Sequence, residues 1–497
     1  MFNDFSNFVS GTWNALGQQL TAEKVLKAVD TLAENNISIS SLIIDDNWQD
    51  IDYKGDNQFQ YAWNDFEAQP EAFPKGLKAL VSDIRSKHKS IQYIAVWHAL
   101  LGYWGGIAPD GKLANKYKTV EVLREESERK DIPLGGKITV VAKEDADRFY
   151  DDFYKFLSSC GIDGVKTDAQ FMLDTVVSPK ARRGLLHTYM DAWTLASLRH
   201  FGNRVISCMS LTPQNIFYSL MPRNRPALLC RNSDDFFPDN ERSHPWHIWA
   251  NAHNNLFTQH LNILPDWDMF QTRGPYAGFH AAARCVSGGP VYITDVPGEH
   301  EVGLIKQMTA TTTRGRTVIL RPSVLGRTID QYNGYDDPSS LLKIGAYHGR
   351  AVTGTPIMGI FNVSAHRRLT ELIPVARFSG ILPSMQYIVR SHTTGKITPP
   401  MWGTAACISS KHSLRDDDAV VAVTLDVGCY DILCAFPLSL FQTEMKGRVL
   451  AASLGLLDKM TGCAAMLNTK ITMLDNGRLF VDTRLKALGV LGKLTIL

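Results

Sequence analysis

The chain lacks most of the features that would assign it quickly. No run of about 18 apolar residues occurs, so no membrane-spanning helix is expected. The opening MFNDFSNFVSGTWN has no basic start followed by an apolar stretch, so no secretory signal is visible. Neither sign of charge prevails: 52 Lys and Arg stand against 50 Asp and Glu, which gives no reason to expect nucleic acid or a membrane surface as partner. The eight cysteines are dispersed and form no C-x-x-C pair, so zinc and redox motifs are unsupported and the expected setting is reducing and cytoplasmic. No Gly-rich phosphate loop follows the first apolar run, no His cluster has metal-ligand spacing, and no repeat of solenoid period appears. The reading therefore carries no cofactor and no metal.

What remains is ordinary soluble composition over 497 residues, enough for a barrel-sized unit and a second domain. Short apolar runs alternate with amphipathic helical patterns, as in a parallel α/β sheet. Eight candidate strands are Phe8–Trp13, Ser41–Asp45, Ile91–Trp97, Gly164–Asp168, Val205–Met209, Ala227–Arg231, Ile263–Met269 and Val291–Asp295. Thr21–Asn36, Gly76–His88, Glu144–Cys160, Lys180–Phe201, His244–Leu261 and Pro275–Val286 read as helices. The fold class expected is α/β, a (β/α)₈ TIM barrel over residues 1–325, followed by a C-terminal antiparallel β-sandwich over residues 340–497. In the second part, Ser340–Tyr347, Thr355–Asn362, Ile381–Arg390, Ala419–Leu425, Ile432–Phe436, Ala465–Met473 and Arg478–Asp482 read as strands, and the polar run Ser413–Asp418 as an exposed loop.

In such a barrel the active site lies at the C-terminal strand ends. Those ends carry Trp13, Asp45-Asp46-Asn-Trp48, Trp97-His98, Lys166-Thr-Asp168, Cys208-Met-Ser210, Arg231-Asn-Ser-Asp234-Asp235, Asp266-Trp-Asp268 and Asp295. The opposite ends are apolar or small. An acidic, aromatic-lined rim suits glycoside chemistry, in which one carboxylate attacks, another trades a proton, and indoles stack on sugar faces. Lys166 and Asp168 share a strand face, so the ammonium favours an ionised carboxylate, whereas a general acid needs a raised pKa. Plainer readings stand beside these. Lys166 and Asp168 could be a structural ion pair, Asp45 and Asp46 a turn or cap, and Arg231 with Asp234 or Asp235 a local salt bridge. His98 and Trp104 could be satisfied core groups, Cys208 a small buried apolar residue, and the acid cluster a magnesium site.

Five motifs taken in order resemble one family: Ile43-Ile-Asp-Asp-Asn-Trp-Gln, Val96-Trp-His-Ala-Leu-Leu-Gly-Tyr-Trp-Gly-Gly, Gly164-Val-Lys-Thr-Asp, Arg231-Asn-Ser-Asp-Asp-Phe-Phe-Pro and Asp266-Trp-Asp-Met-Phe-Gln. They look like the raffinose synthase and seed imbibition protein branch of glycoside hydrolase family 36. The resemblance covers residues 5–310 well and the remainder by texture. It implies a retaining double displacement on α-galactosides, with Asp168 as nucleophile and Asp235 as acid/base, Asp234 being the near alternative. It also implies that Asp45 and Asp46 accept hydrogen bonds from galactose hydroxyls, that Trp13 lines the sugar pocket, and that Lys166 and Arg231 bind hydroxyls. Trp97, Asp234 and Asp268, at other strand ends, complete the expected substrate-binding set. Family members usually carry a β-sandwich domain before the barrel, and none is expected here, since the first strand begins within about ten residues of Met1. The activity expected is a raffinose-type α-galactosidase with water as acceptor and a small oligosaccharide as substrate. The alternative is galactosyl transfer from galactinol to sucrose, with the Leu101–Lys143 insert as an acceptor-side lid. A non-catalytic sugar-binding form is the third reading.

Overall fold

A computed structural model describes residues 8–335, 339–350, 353–404, 419–443 and 447–496. The run Ser413–Asp418 and Cys407 lie outside the described residues.

Helix formation in the first half follows from capping and one-sided apolar spacing. Thr21 Oγ1 accepts the Lys24 backbone N–H at 3.2 Å, and the helix Ala22–Glu34 that follows buries Val25, Val29 and Leu32. Ser178 caps Pro179–His200 in the same way, with Pro179 at the first helical position. These helices, with Gly76–Lys87, Ala146–Ser159, Ser243–Thr258 and Ala277–Ser287, alternate with eight parallel strands: Phe8–Gly11, Ser41–Ile44, Tyr93–Ala99, Gly164–Asp168, Val205–Ser207, Leu228–Arg231, Ile263–Asp266 and Val291–Ile293. Sequential strands are neighbours, and the first pairs with the eighth. Closure comes just past the seventh strand, where Thr294 N–H donates to the Phe270 carbonyl at 2.9 Å and Phe270 N–H to Tyr292 at 3.3 Å. The curled sheet is thus a closed (β/α)₈ barrel, as expected. Gly164 opens the fourth strand because a Cβ there would meet the Arg204 carbonyl oxygen at 2.4 Å. Between the fifth and sixth strands a short turn of helix, Pro213–Asn215, continues as a π-turn, Ile216–Leu220.

The insert between Leu101 and Lys143 is ordered by burial. It holds a tight turn at Tyr103–Gly106 and a hairpin, Thr119–Arg124 with Gly136–Val141. Arg124 is buried and donates to the Trp104 carbonyl at 2.8 Å and the Gly135 carbonyl at 3.1 Å, which ties hairpin to turn.

The second half is β-rich. A six-stranded antiparallel sheet runs Val324–Thr328, Leu342–His348, Thr355–Phe361, Tyr430–Pro437, Gln386–Ser391, Met401–Trp402. One face buries Met358, Ile360, Leu433 and Val389 against the ribbon Leu369–Pro374/Val420–Leu425, giving the expected two-layer packing with a narrow second layer. Further strands form a three-stranded sheet, Ser439–Thr443, Gly447–Leu456 and Leu491–Ile496, and a ribbon, Met466–Met473/Leu479–Leu485. The other face of the large sheet, with Ile344, Ile357, Phe361 and Ile432, joins the barrel core across helix Ala277–Ser287. That helix is built from small and apolar residues because it is covered on both sides; every residue but Gly278 is buried. At Gly278 a Cβ would meet the Tyr430 ring at 2.9 Å.

Candidate active site

The ladders stop one or two residues before most of the carboxylates. Asn47 (φ 76°), Ala169 (φ 54°), Met209 (φ 46°) and Asp268 (φ 68°) take left-handed backbone just past the second, fourth, fifth and seventh strands. Non-glycine residues pay for this conformation, and its concentration at one end of the barrel marks a rim shaped for something other than sheet continuity.

Asp168 ends the fourth strand and is buried. Its Oδ2 accepts the Trp97 indole N–H at 3.0 Å, and its Oδ1 accepts the Ala169 N–H at 2.7 Å. Behind it, Thr167 Oγ1 contacts His98 Nε2 at 3.0 Å and accepts from Trp193 Nε1 at 2.9 Å. His98 is a satisfied core histidine: it also meets Tyr154 Oη at 2.9 Å, and burial pushes its pKa down to about 4. Lys166, on the same face as Asp168, bonds not to it but to Asp45, Nζ to Oδ2 at 2.8 Å, with both side chains at most 5% exposed. Burial opposes the ammonium, but the negative groups around it, Asp45 foremost with Cys208 and Asp168, together outweigh burial and hold the Lys166 pKa above its usual value. Asp45 is further fixed by its N–H, which donates to Thr12 Oγ1 at 2.9 Å.

Arg231 ends the sixth strand and is 1% exposed. One arm of its guanidinium pairs with Asp235, four residues on, and the other meets Asp268 at 2.7 Å. This two-armed use is what a planar guanidinium allows and an ammonium does not. Asp268 is enclosed: Phe236 N–H donates to its Oδ2 at 2.6 Å and Tyr292 Oη to its Oδ1 at 3.2 Å. Burial pushes its pKa up to about 6 against the opposing charge of Arg231. Asp235 remains partly exposed at 37%, and Asp234 is exposed beside it. Cys208 is buried among Asp168, Arg231 and Lys166, and burial pushes its thiol pKa well up, as for an inert core cysteine.

Asp46 is buried, and its pKa rises to about 7 through burial, with the neighbouring Asp45 charge adding to the effect. The Tyr103 hydroxyl and Trp104 indole N–H of the insert's tight turn face it, although neither closes a hydrogen bond within the protein. Trp104 packs edge-on to Phe59 at 5.0 Å and lies 6.4 Å from Trp97. Trp13 opens the short helix after the first strand and is partly buried. Asp295, at the eighth strand end, is occupied elsewhere, accepting from Thr272 Oγ1 at 2.7 Å and contacting His300 at 3.0 Å.

The structure thus gathers Asp45, Lys166, Asp168, Arg231, Asp235 and Asp268 around one barrel mouth, with Asp46, Trp97 and Trp104 along it. The plain ion-pair reading of Lys166 with Asp168 is corrected: Lys166 pairs with Asp45 across the barrel. The sequence reading missed Tyr103, whose hydroxyl faces Asp46, and Tyr292, which bridges Asp266 and Asp268. Tyr292 alternates with Val291 and Ile293 on a buried strand, a pattern that could have flagged its hydroxyl. Among the described residues, no group of three or more His, Cys, Asp or Glu is arranged to hold a metal ion.

Comparison with known proteins follows the same lines. The fold is similar to that of α-galactosidase I from Mortierella vinacea, with a TM-score of 0.52 and 13% identity, covering 87% of this chain and 97% of that one. In sequence the chain is 31% identical over 389 residues to "Probable galactinol–sucrose galactosyltransferase 1" of Arabidopsis thaliana, covering 71% of this chain and 49% of the relative. It is 30% identical over 336 residues to galactinol–sucrose galactosyltransferase of Pisum sativum, covering 59% and 42%. The chain spans about half the length of the curated relatives it matches. These names correct the sequence-based preference for water as acceptor, because the relatives are named for transfer and not for hydrolysis. The family model "Raffinose synthase or seed imbibition protein Sip1" matches residues 4–486, beyond the barrel and through most of the β-rich half, and the chain belongs to that family.

Proposed function

We propose that the chain transfers an α-galactosyl group from a galactinol-type donor to a sucrose-type acceptor through a covalent ester on Asp168. The observation that carries this reading is the Asp168 carboxylate, held at a barrel mouth by two N–H donors, with the Arg231-tethered Asp235 as a partly exposed carboxyl at the same end of the barrel. In the first step an Asp168 oxygen attacks the anomeric carbon. The bond from that carbon to the leaving oxygen breaks, and Asp235 gives that oxygen its proton. In the second step the Asp235 carboxylate takes a proton from the acceptor hydroxyl, whose oxygen displaces Asp168 and restores the free enzyme. Asp46 and Asp45 accept from sugar hydroxyls, Trp13 and Trp97 wall the pocket, and Lys166, Arg231, Asp234 and Asp268 hold its remaining polar positions. The names of the relatives support transfer over hydrolysis.

The test is incubation of the chain with galactinol and sucrose, with chromatographic separation of products. The expected product is a galactosyl-sucrose trisaccharide that disappears in Asp168→Ala. Free galactose without trisaccharide, or trisaccharide formation that survives Asp168→Ala, would overturn the reading.

A further inference from the structure

The Asp235 segment is backed by a polar network that takes no direct part in the steps above. Helix Ser243–Thr258 places His244 and His247 one turn apart, and helix Ala277–Ser287 places His280 and Arg284 one turn apart. The four side chains meet behind residues 233–238, and each residue is at most 6% exposed. Arg284 Nη1 donates to His280 Nδ1 at 2.8 Å, and His280 Nε2–H then donates to His244 Nδ1 at 2.9 Å. His244 in turn reaches the Pro238 carbonyl. A second branch runs from Arg284 Nη2, which lies 3.5 Å from His247 Nδ1, to His247 Nε2, which faces the Asp234 carbonyl and lies 3.2 Å from Ser233 Oγ. A guanidinium only donates, so every ring must accept on the Arg284 side and donate outward, which requires neutral rings with the proton on Nε2. Burial and the Arg284 charge favour the same neutral state in His247 and His280.

The two branches face the backbone carbonyls that flank Asp235, at Pro238 and Asp234. Between those carbonyls sits Phe236, whose ring lies edge-on to His280 at 4.8 Å and to His247 at 6.4 Å, and 5.6 Å from His244. Its N–H is held by Asp268 and its carbonyl accepts from Asn14 Nδ2 at 3.2 Å. Arg284 is itself fixed to the seventh strand end, donating to the Asp268 and Met269 carbonyls at 3.2 and 3.1 Å. Asp235 is thus a partly exposed side chain on a backbone pinned at both sides.

We propose that His244, His247 and His280, aligned by Arg284, form a cage around Phe236 that sets the position of the Asp235 carboxyl. They are positioning residues, and the proposal rests on the acid/base reading of Asp235. An acid that must reach the leaving oxygen matters most when that oxygen departs poorly, so displacing it should slow galactinol far more than a nitrophenyl α-galactoside.

The experiment compares kcat/KM on these two donors for Asp235→Ala, Phe236→Leu, His280→Leu and His280→Gln, with thermal unfolding to verify the fold. Gln can accept from Arg284 and donate onward, whereas Leu can do neither. The expected result is a loss on galactinol that exceeds the loss on the aryl donor by about tenfold or more in Phe236→Leu and His280→Leu, with most of it restored in His280→Gln. The inhibition constant of galactose should stay within about twofold of the wild-type value, since sugar binding is not displaced. Equal losses on both donors, or no loss, in the folded Phe236→Leu and His280→Leu variants would overturn the cage. If His280→Leu does not fold, Phe236→Leu decides alone. Asp235→Ala separates the two claims: if it discriminates between donors and Phe236→Leu does not, only the cage fails. If Asp235→Ala itself does not discriminate, the acid/base reading fails and the cage falls with it.

Discussion

Asp46 should make the protein less stable as pH rises, and Asp46→Asn should remove that cost. The carboxyl is 4% exposed, and burial lifts its pKa from the ordinary 3.8 to about 7. The sign follows from proton counting. Between about pH 4 and 7 the folded chain keeps a proton that the unfolded chain has lost, so stability is greatest below the unfolded pKa, falls through this window and levels off above it. A gap of about 3 pH units at about 1.36 kcal/mol each sets an upper bound of about 4 kcal/mol. Asn carries no charge and can still accept the Asn47 N–H that Asp46 Oδ1 takes at 2.6 Å. Guanidinium unfolding of the two proteins at equal ionic strength is the assay. The midpoints should nearly coincide at about pH 3, below the unfolded pKa, and the Asn variant should be the more stable by a few kcal/mol at about pH 8. A difference that does not change with pH, or a less stable Asn variant at pH 8, would refute the reasoning. A cost of this kind is tolerated where a site needs an acceptor it cannot afford to lose.

Further outcomes follow from the same geometry. If Asp46 accepts from sugar hydroxyls as an anion, galactose should bind more tightly as pH rises through about 7, and the trend should vanish in Asp46→Asn; titration calorimetry reads both. Lys166→Met leaves the buried Asp45 charge without its 2.8 Å partner and should cost about 3–5 kcal/mol in unfolding free energy, more than Lys166→Met in an Asp45→Asn background. Arg231→Lys keeps the charge but cannot hold Asp235 and Asp268 together, so donor turnover should fall by at least about tenfold with a smaller change in unfolding midpoint.

The barrel was legible because its strands are buried on both faces and so appear as short β-branched or apolar runs between amphipathic helices. The ends of those runs were less legible. Sequence reading carries the strands on to Trp13, Asp45, Met209, Met269 and Asp295, whereas the ladders stop at Gly11, Ile44, Ser207, Asp266 and Ile293. The difference lies in left-handed backbone at residues such as Met209 and Asp268, to which composition gives no clue because neither is glycine. Strand Gly447–Leu456 escaped notice for a different reason: its run of Ala, Ser and Gly lacks the alternation of a half-exposed strand, since its last six residues are all buried. The strand-end acids were visible in sequence, but their partners were not. Lys166 with Asp45, and Arg231 with Asp268, join positions 121 and 37 residues apart, which only barrel closure brings together. His244/His247 and His280/Arg284 have helical spacing that could have flagged a shared face, but not that the two faces meet.

Helix Ala277–Ser287 has a consequence for how the molecule comes apart. Covered by the barrel on one side and the six-stranded sheet on the other, it sits inside one continuous core that both halves share, so neither half can open without wetting it. Hydrogen exchange should therefore return a common opening free energy for amides in this helix, in the seventh barrel strand and in strand Thr355–Phe361, instead of one value for each half. The barrel mouth then draws part of its stability from that sheet, through Arg284, which holds the Asp268 and Met269 carbonyls, and through Asn255, which joins Gly326 of the sheet to Asn232 beside Arg231.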